Sequence, residues 1–282
     1  MIKLAAFADE ADKALEGQIA ALKRNRASLI ELRGIYDKNI LAVTEEEANE
    51  YAAMLRDNKI GVWSIGSPLG KVKIDEYGDE YREKVRHICR LANIFGTDKI
   101  RMFSFYEAYD KSEKVFDALS DMVSIAREYG VELYHENEKK IYGDTVERVL
   151  DIRNNVKGLK FIYDPANFLE VGEDSASALD SLHSGTDYFH IKDVIAETGQ
   201  IVPAGYGDGL IDRLVSRIDG DKVLTVEPHL AIFRGFAEID GTEMKNKFTF
   251  KDNNEAFDAA MTAIKSVLTS CGYKETEEGF TK

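Results

Sequence analysis

The chain of 282 residues is poor in cysteine, with two, and in histidine, with five. Cys89 and Cys271 lie outside any CxxC or Cys/His zinc spacing, which excludes a disulfide framework and a structural zinc module. Two such thiols suit a reducing compartment. His87 and His183 fall in helical patterns and carry no signal, and the histidines left over are too few for a multi-metal phosphodiesterase. No apolar run has the length of a membrane span. The apolar opening is too short for a signal segment, and acidic residues follow at once. These absences predict a cytoplasmic protein with no membrane partner. Positive charge is also scarce: 37 Lys and Arg stand against 51 Asp and Glu, a formal net charge of −14. That balance repels nucleic-acid phosphates and anionic lipids. A glycine-rich phosphate turn is missing after the first strand pattern, where Phe7-Ala8-Asp9-Glu10 stands instead. This argues against an open dinucleotide-binding sheet. No linker or low-complexity tract marks a second domain.

What is present is alternation. Short apolar runs at 2–7, 28–32, 61–65, 99–103, 131–135, 159–163, 188–191 and 222–226 read as buried strands. Helical patterns lie between them, among them one opening on Thr44 with Glu47 completing a capping box. A final helix over 254–270 carries Phe257, Met261, Ile264 and Leu268 as an inner stripe. About eight strand–helix units of roughly 35 residues predict a single α/β domain, a closed (β/α)8 TIM barrel over 1–273. Residues 274–282 read as a C-terminal tail. The barrel gathers the C-terminal ends of its strands at one mouth, where the active site is expected. The long loop from Pro228 to Asp252 is expected to cover part of it.

Four of those ends bear residues able to ligate a metal: Glu136 in YHEN, Asp164 in IYDPAN, His190 in FHIKD and Glu227 in TVEP. Each follows the last by about one βα unit, so strands five to eight contribute one apiece. An acidic residue after a strand is often only a helix N-cap. Four ligand types on four consecutive strands instead predict a site for one divalent metal ion. Three carboxylates and an imidazole suit Mn²⁺ first, with Mg²⁺, Co²⁺ or Zn²⁺ as alternatives. His135 precedes Glu136 on its strand and is expected to face the helices.

With these motifs the chain resembles the xylose isomerase-like TIM-barrel superfamily, the sugar phosphate isomerase/epimerase group, over nearly its whole length. The family's Glu, Asp, His, Glu tetrad falls on Glu136, Asp164, His190 and Glu227. Its H-x-K-D falls on His190-Ile191-Lys192-Asp193, and its glycine loop on Gly205-Tyr206-Gly207-Asp208-Gly209. Two departures stand out: Asn167 replaces a histidine common in the family, and Asn137-Glu138 replaces Asn-His. The resemblance implies proton transfer beside a carbonyl of a small carbohydrate, through a metal-stabilised enediolate. It implies Glu136 and Glu227 as catalytic carboxylates, a metal cofactor, and a homo-oligomer by analogy. Epimerisation and aldose–ketose isomerisation both remain open, as do a dehydratase or lyase using the same enediolate and a silent sugar-binding protein. Expected substrate contacts are Asn167, Lys192, Asp193, Arg101, His229 and Lys71. Lys192 has the alternative of supporting the site electrostatically, Asp193 of orienting a neighbour, and His229 of a surface loop place. Arg101, like Glu31 and Arg33, has the alternative of an ion pair at an acidic mouth. Trp63 and Phe105 read as core before sugar platforms, though Phe7, Trp63 and Phe103 lie near strand ends where a sugar could stack.

Overall fold

The computed structural model describes residues 1–230, 248 and 250–282. Eight parallel strands close on themselves: β1 (Ile2–Ala6), β2 (Leu29–Leu32), β3 (Gly61–Gly66), β4 (Lys99–Met102), β5 (Glu132–Glu136), β6 (Lys160–Tyr163), β7 (Tyr188–Ile191) and β8 (Lys222–Val226). Each pairs with its sequence neighbour, and β8 returns to β1 with Ile2 opposite Lys222 and Ala6 opposite Val226. This is a single (β/α)8 TIM barrel.

Among the described residues the helices are α1 (Leu15–Arg24), α2 (Glu45–Asp57), α3 (Asp79–Phe95), α4 (Ser112–Glu128), α5 (Val146–Asn155), α6 (Pro165–Glu170), α7 (Ser175–Leu182), α8 (Ile211–Ser216) and α9 (Asn253–Ser270). Thr44 and Glu47 form the expected reciprocal cap on α2. The stripe Phe257, Met261, Ile264 and Leu268 is buried on α9. Helix α6 was not legible as a separate element, because six residues cannot display a 3.6-residue period. The same holds for the hairpin of Asp193–Ile195 with Gln200–Val202.

Side chains alternate across each strand with period two, so the barrel has an outer and an inner register. The outer one packs the helices in one continuous apolar shell. The inner one begins low in the barrel with Tyr134, Ile162 and Tyr188, against which Trp63 packs. Two residues further along β5, β6 and β7 stand Glu136, Asp164 and His190. The step from Tyr134, Ile162 and Tyr188 to these three is the step from an apolar floor to a polar mouth. Trp63 belongs to the floor, edge-on to Tyr188 at 5.5 Å, the core place read for it rather than that of a sugar platform.

The segment read as a tail forms a hairpin, Lys274–Glu275 with Phe280–Thr281. Ile2 pairs with Phe280, whose ring is buried against the start of β1. Most of the loop expected to cover the mouth lies outside the described residues.

Candidate metal centre

Glu136 is the last residue of β5 and Asp164 follows β6 directly. His190 is the third residue of β7, and Glu227 follows β8, its N–H donating to the Ile191 carbonyl at 3.1 Å. All four side chains are buried, and one ligand atom from each lies within 4.8 Å of the others. Ligands of one ion at about 2.0–2.2 Å stand at most about 4.4 Å apart, so small side-chain movements suffice to enclose one. Asp164 divides its labour: Oδ1 accepts the Asn167 N–H at 3.0 Å and caps α6, while the buried Oδ2 faces the Lys192 ammonium at 3.2 Å. Capping therefore occupies one oxygen of the carboxylate and leaves the other turned toward the cluster. With hard oxygen donors and one imidazole, the residues fit a divalent cation.

The electrostatics of this cluster are tightly coupled. Burial pulls the His190 imidazole down, but Glu136 on Nδ1 (2.8 Å) and Glu31 on Nε2 (3.2 Å) outweigh it and lift its pKa to about 10. Burial raises Asp164 to about 7, with Lys192 opposing and Glu227 and Glu136 adding to the rise. Glu227 goes the other way: burial raises it, but Lys192, His229, His190 and Arg33 together hold it well below the usual carboxylate range. Lys192 Nζ lies 3.2 Å from Asp164 Oδ2 and 3.5 Å from Glu227 Oε2. Arg101 Nη1 lies 3.1 Å from Glu136 Oε2.

A model described as xylose isomerase-like TIM barrel matches residues 19–247. The chain belongs to the xylose isomerase-like TIM barrel family. No curated protein sequence matches it. Solved structures resemble its fold. The IOLI protein with a bound zinc atom superposes with a TM-score of 0.74 at 16% identity, over 95% of this chain and 98% of its own. A probable 3-DHS dehydratase, AsbF of Bacillus anthracis, gives 0.72 at 16% identity, over 94% and 99%. An L-ribulose 3-epimerase gives 0.70 at 18% identity, over 96% and 95%.

In this xylose isomerase-like barrel the expected contact residues take several places. Asn167 receives Lys192 Nζ on its amide oxygen at 2.8 Å and donates to the Asn137 carbonyl at 2.8 Å, so both amide ends serve the protein. Asn137 in turn clasps the Asp164 backbone at both its N–H and its carbonyl. Asp193 accepts backbone N–H groups from Val194, Gly205, Gly207 and Gly209. Four donors fill the acceptor sites of a carboxylate. Asp193 therefore holds the glycine loop, which is the orienting alternative read for it. Gly207 and Gly209 are required here, because an added Cβ would stand 2.4 and 2.8 Å from Asp193 Oδ1.

Arg101 takes the ion-pair alternative, bound to Glu136 and to the Gly66 carbonyl at 3.0 Å. Lys71 reaches Glu138 at 2.9 Å and lies over the Phe103 ring. His229 is buried with Nε2 3.4 Å from Glu227 Oε1, and its backbone N–H donates to Glu10 Oε2 at 2.6 Å. The Phe7 ring stands edge-on to His190 at 5.2 Å, with the Arg33 guanidinium 4.4 Å from its centroid. His135 faces away from the tetrad, bonded to Ser104 Oγ at 2.9 Å.

Sequence reasoning left Glu10 out altogether. It sits one turn beyond β1, joins Glu227 and His229 in a second potential ligand group, and receives Arg33 Nη2 at 3.0 Å. Burial raises its pKa to about 7 against the pull of Arg33. The strand-end rule that found the tetrad, applied to the second strand, would have given Glu31 greater weight, whereas Glu10 lies four residues past the end of β1 and escapes it.

Proposed function

We propose that the protein is a divalent-metal-dependent isomerase or epimerase of a sugar or sugar phosphate, acting by proton transfer through an enediolate. One observation carries the reading: four ligand-type side chains from four consecutive strand ends converge, buried, within 4.8 Å. Glu136, Asp164, His190 and Glu227 would hold the ion. Mn²⁺ is the first choice for this donor set, with Mg²⁺, Co²⁺ and Zn²⁺ as alternatives; the zinc-bound IOLI barrel and a magnesium complex from Mycobacterium smegmatis share the fold. A bound divalent ion supplies Lewis-acid stabilisation of the negative charge that develops on a sugar's carbonyl oxygen.

The protein's own residues supply the proton handling. Glu136 and Glu227 stand at opposite ends of the arc of four. One takes the C–H proton beside the carbonyl and the other returns it from the opposite face, which inverts the carbon. If one carboxylate does both tasks on neighbouring carbons, the product is the isomeric aldose or ketose. Lys192 and Arg33 keep Glu227 ionised and ready to accept a proton. Arg101 orients Glu136 through its guanidinium. The L-ribulose 3-epimerase neighbour makes a carbohydrate the first substrate class to try. The protein is proposed to work as a cytoplasmic homo-oligomer.

The test is a screen of ketoses and their phosphates in D₂O with Mn²⁺, reading deuterium incorporation by NMR. Metal-dependent C–H exchange in at least one sugar is the expected result. A metal-loaded protein that exchanges no C–H proton in any of them overturns the reading, and loss of water from the substrate converts it to a dehydratase.

A further inference from the structure

We infer that Glu31 is a positioning residue for the metal-ligand histidine, holding His190 by its Nε2–H so that the Nδ1 lone pair faces Glu136, Asp164 and Glu227. The inference rests on the metal-dependent reading above and assigns a function to a carboxylate outside the tetrad.

Glu31 lies on β2, across the barrel from β7, and is 1% exposed. An anion this deep is costly unless donors surround it. Oε2 accepts from Thr225 Oγ1 at 2.8 Å and lies 3.2 Å from His190 Nε2, while Oε1 accepts from Tyr188 Oη at 3.3 Å. Its partners thus come from β7 and β8, the strands that carry His190 and lead to Glu227. The register between β2 and β3 slips at this residue: Ile30 pairs with Val62, but Glu31 pairs with Ser64. A bulge of this kind re-aims a side chain beside a site. Ser64 Oγ then lies 3.3 Å from the same Tyr188 hydroxyl.

The histidine needs such a partner. Phe7, edge-on at 85°, fixes the plane of the imidazole but not which nitrogen faces the tetrad. A half-turn of the ring would carry Nδ1 away from the other ligands. A carboxylate on Nε2–H prevents that turn and raises the basicity of Nδ1, the usual second role in carboxylate–histidine–metal arrangements.

Zinc alone is the probe. In the zinc-loaded full chain, ¹⁵N-histidine NMR is expected to find His190 coordinated through Nδ1 and protonated at Nε2. Zinc titration by calorimetry should find Glu31→Gln weaker than wild type by about 10–100-fold. Thr225→Val, which removes one donor from Glu31 and leaves its charge, should shift affinity in the same direction by less than about tenfold. Wild-type zinc affinity in folded Glu31→Gln, or coordination through Nε2, overturns the inference and leaves the metal reading standing. Absence of zinc binding in the wild type overturns both. If Glu31→Gln does not fold, the wild-type spectrum and Thr225→Val decide.

Discussion

Strands β5 to β8 and strands β1 to β4 furnish the same mouth with different chemistry. The later four each deliver a group that can ligate a metal. The earlier four, with the turns that follow them, deliver Glu31, Arg33 and Arg101, which touch those groups, Lys71, which reaches Glu138, and Glu10, which joins Glu227 and His229 in a second potential ligand group. Arg101 neutralises Glu136, Arg33 lies 3.3 Å from Glu227, and Glu31 reaches His190. One half carries the candidate ligands; the other sets charged groups against them. The net charge of −14 reaches into the site, but buried cations from the other half moderate it.

The largest expected effect breaks the comparison at its ligand side. Glu136→Gln and Glu227→Gln should each abolish deuterium exchange into substrate even where metal is retained. Wild-type turnover in either variant would remove that residue from the proton transfer. On the supporting side, Arg101→Met removes one of the two cations on buried Glu136 and leaves only the His190 imidazolium. Breaking a buried pair costs about 3–5 kcal/mol, read as a lower urea midpoint in metal-free protein. Bound metal should restore part of that loss, since it also neutralises Glu136. Equal losses with and without metal would mean that Arg101 and the cation do not share Glu136.

The smallest effect lies outside both halves, in the shell facing the helices. Burial holds His135 neutral and lowers its pKa to about 3 from an ordinary 6.5. Below pH 6.5 the unfolded chain takes up a proton that the native one refuses. Stability from this residue is therefore lost as pH falls from 6.5 toward 3, by about 3 kcal/mol at pH 4. Asp164 and Glu10, both raised, favour the native state over the same range. The measurement is therefore the difference between wild type and His135→Gln, whose stability should fall less on acidification. Parallel pH profiles would contradict a neutral buried His135.

This contrast also explains what the sequence disclosed. The eight strands and the capped helix at Thr44 were legible because each carries its own periodicity or local bonding pattern. The tetrad was legible because ligand types recurred at one structural position. Glu31 could be seen but not interpreted: its partners Tyr188, His190 and Thr225 lie far along the chain, and nothing local distinguishes an ion pair from an orienting carboxylate. Which neighbour Asp193 orients was hidden for a related reason. Its four donors depend on a glycine loop folding back over it.

The grip of Asp193 on its glycine loop has a practical corollary. Every backbone amide it binds lies at the base of the excursion from 193 to 209, and the hairpin tip at Ala196–Gly199 is exposed. Length added at that tip would be anchored below by the same carboxylate, leaving Lys192 undisturbed. The tip is therefore a natural insertion point for a fluorophore or affinity handle close to the chemistry.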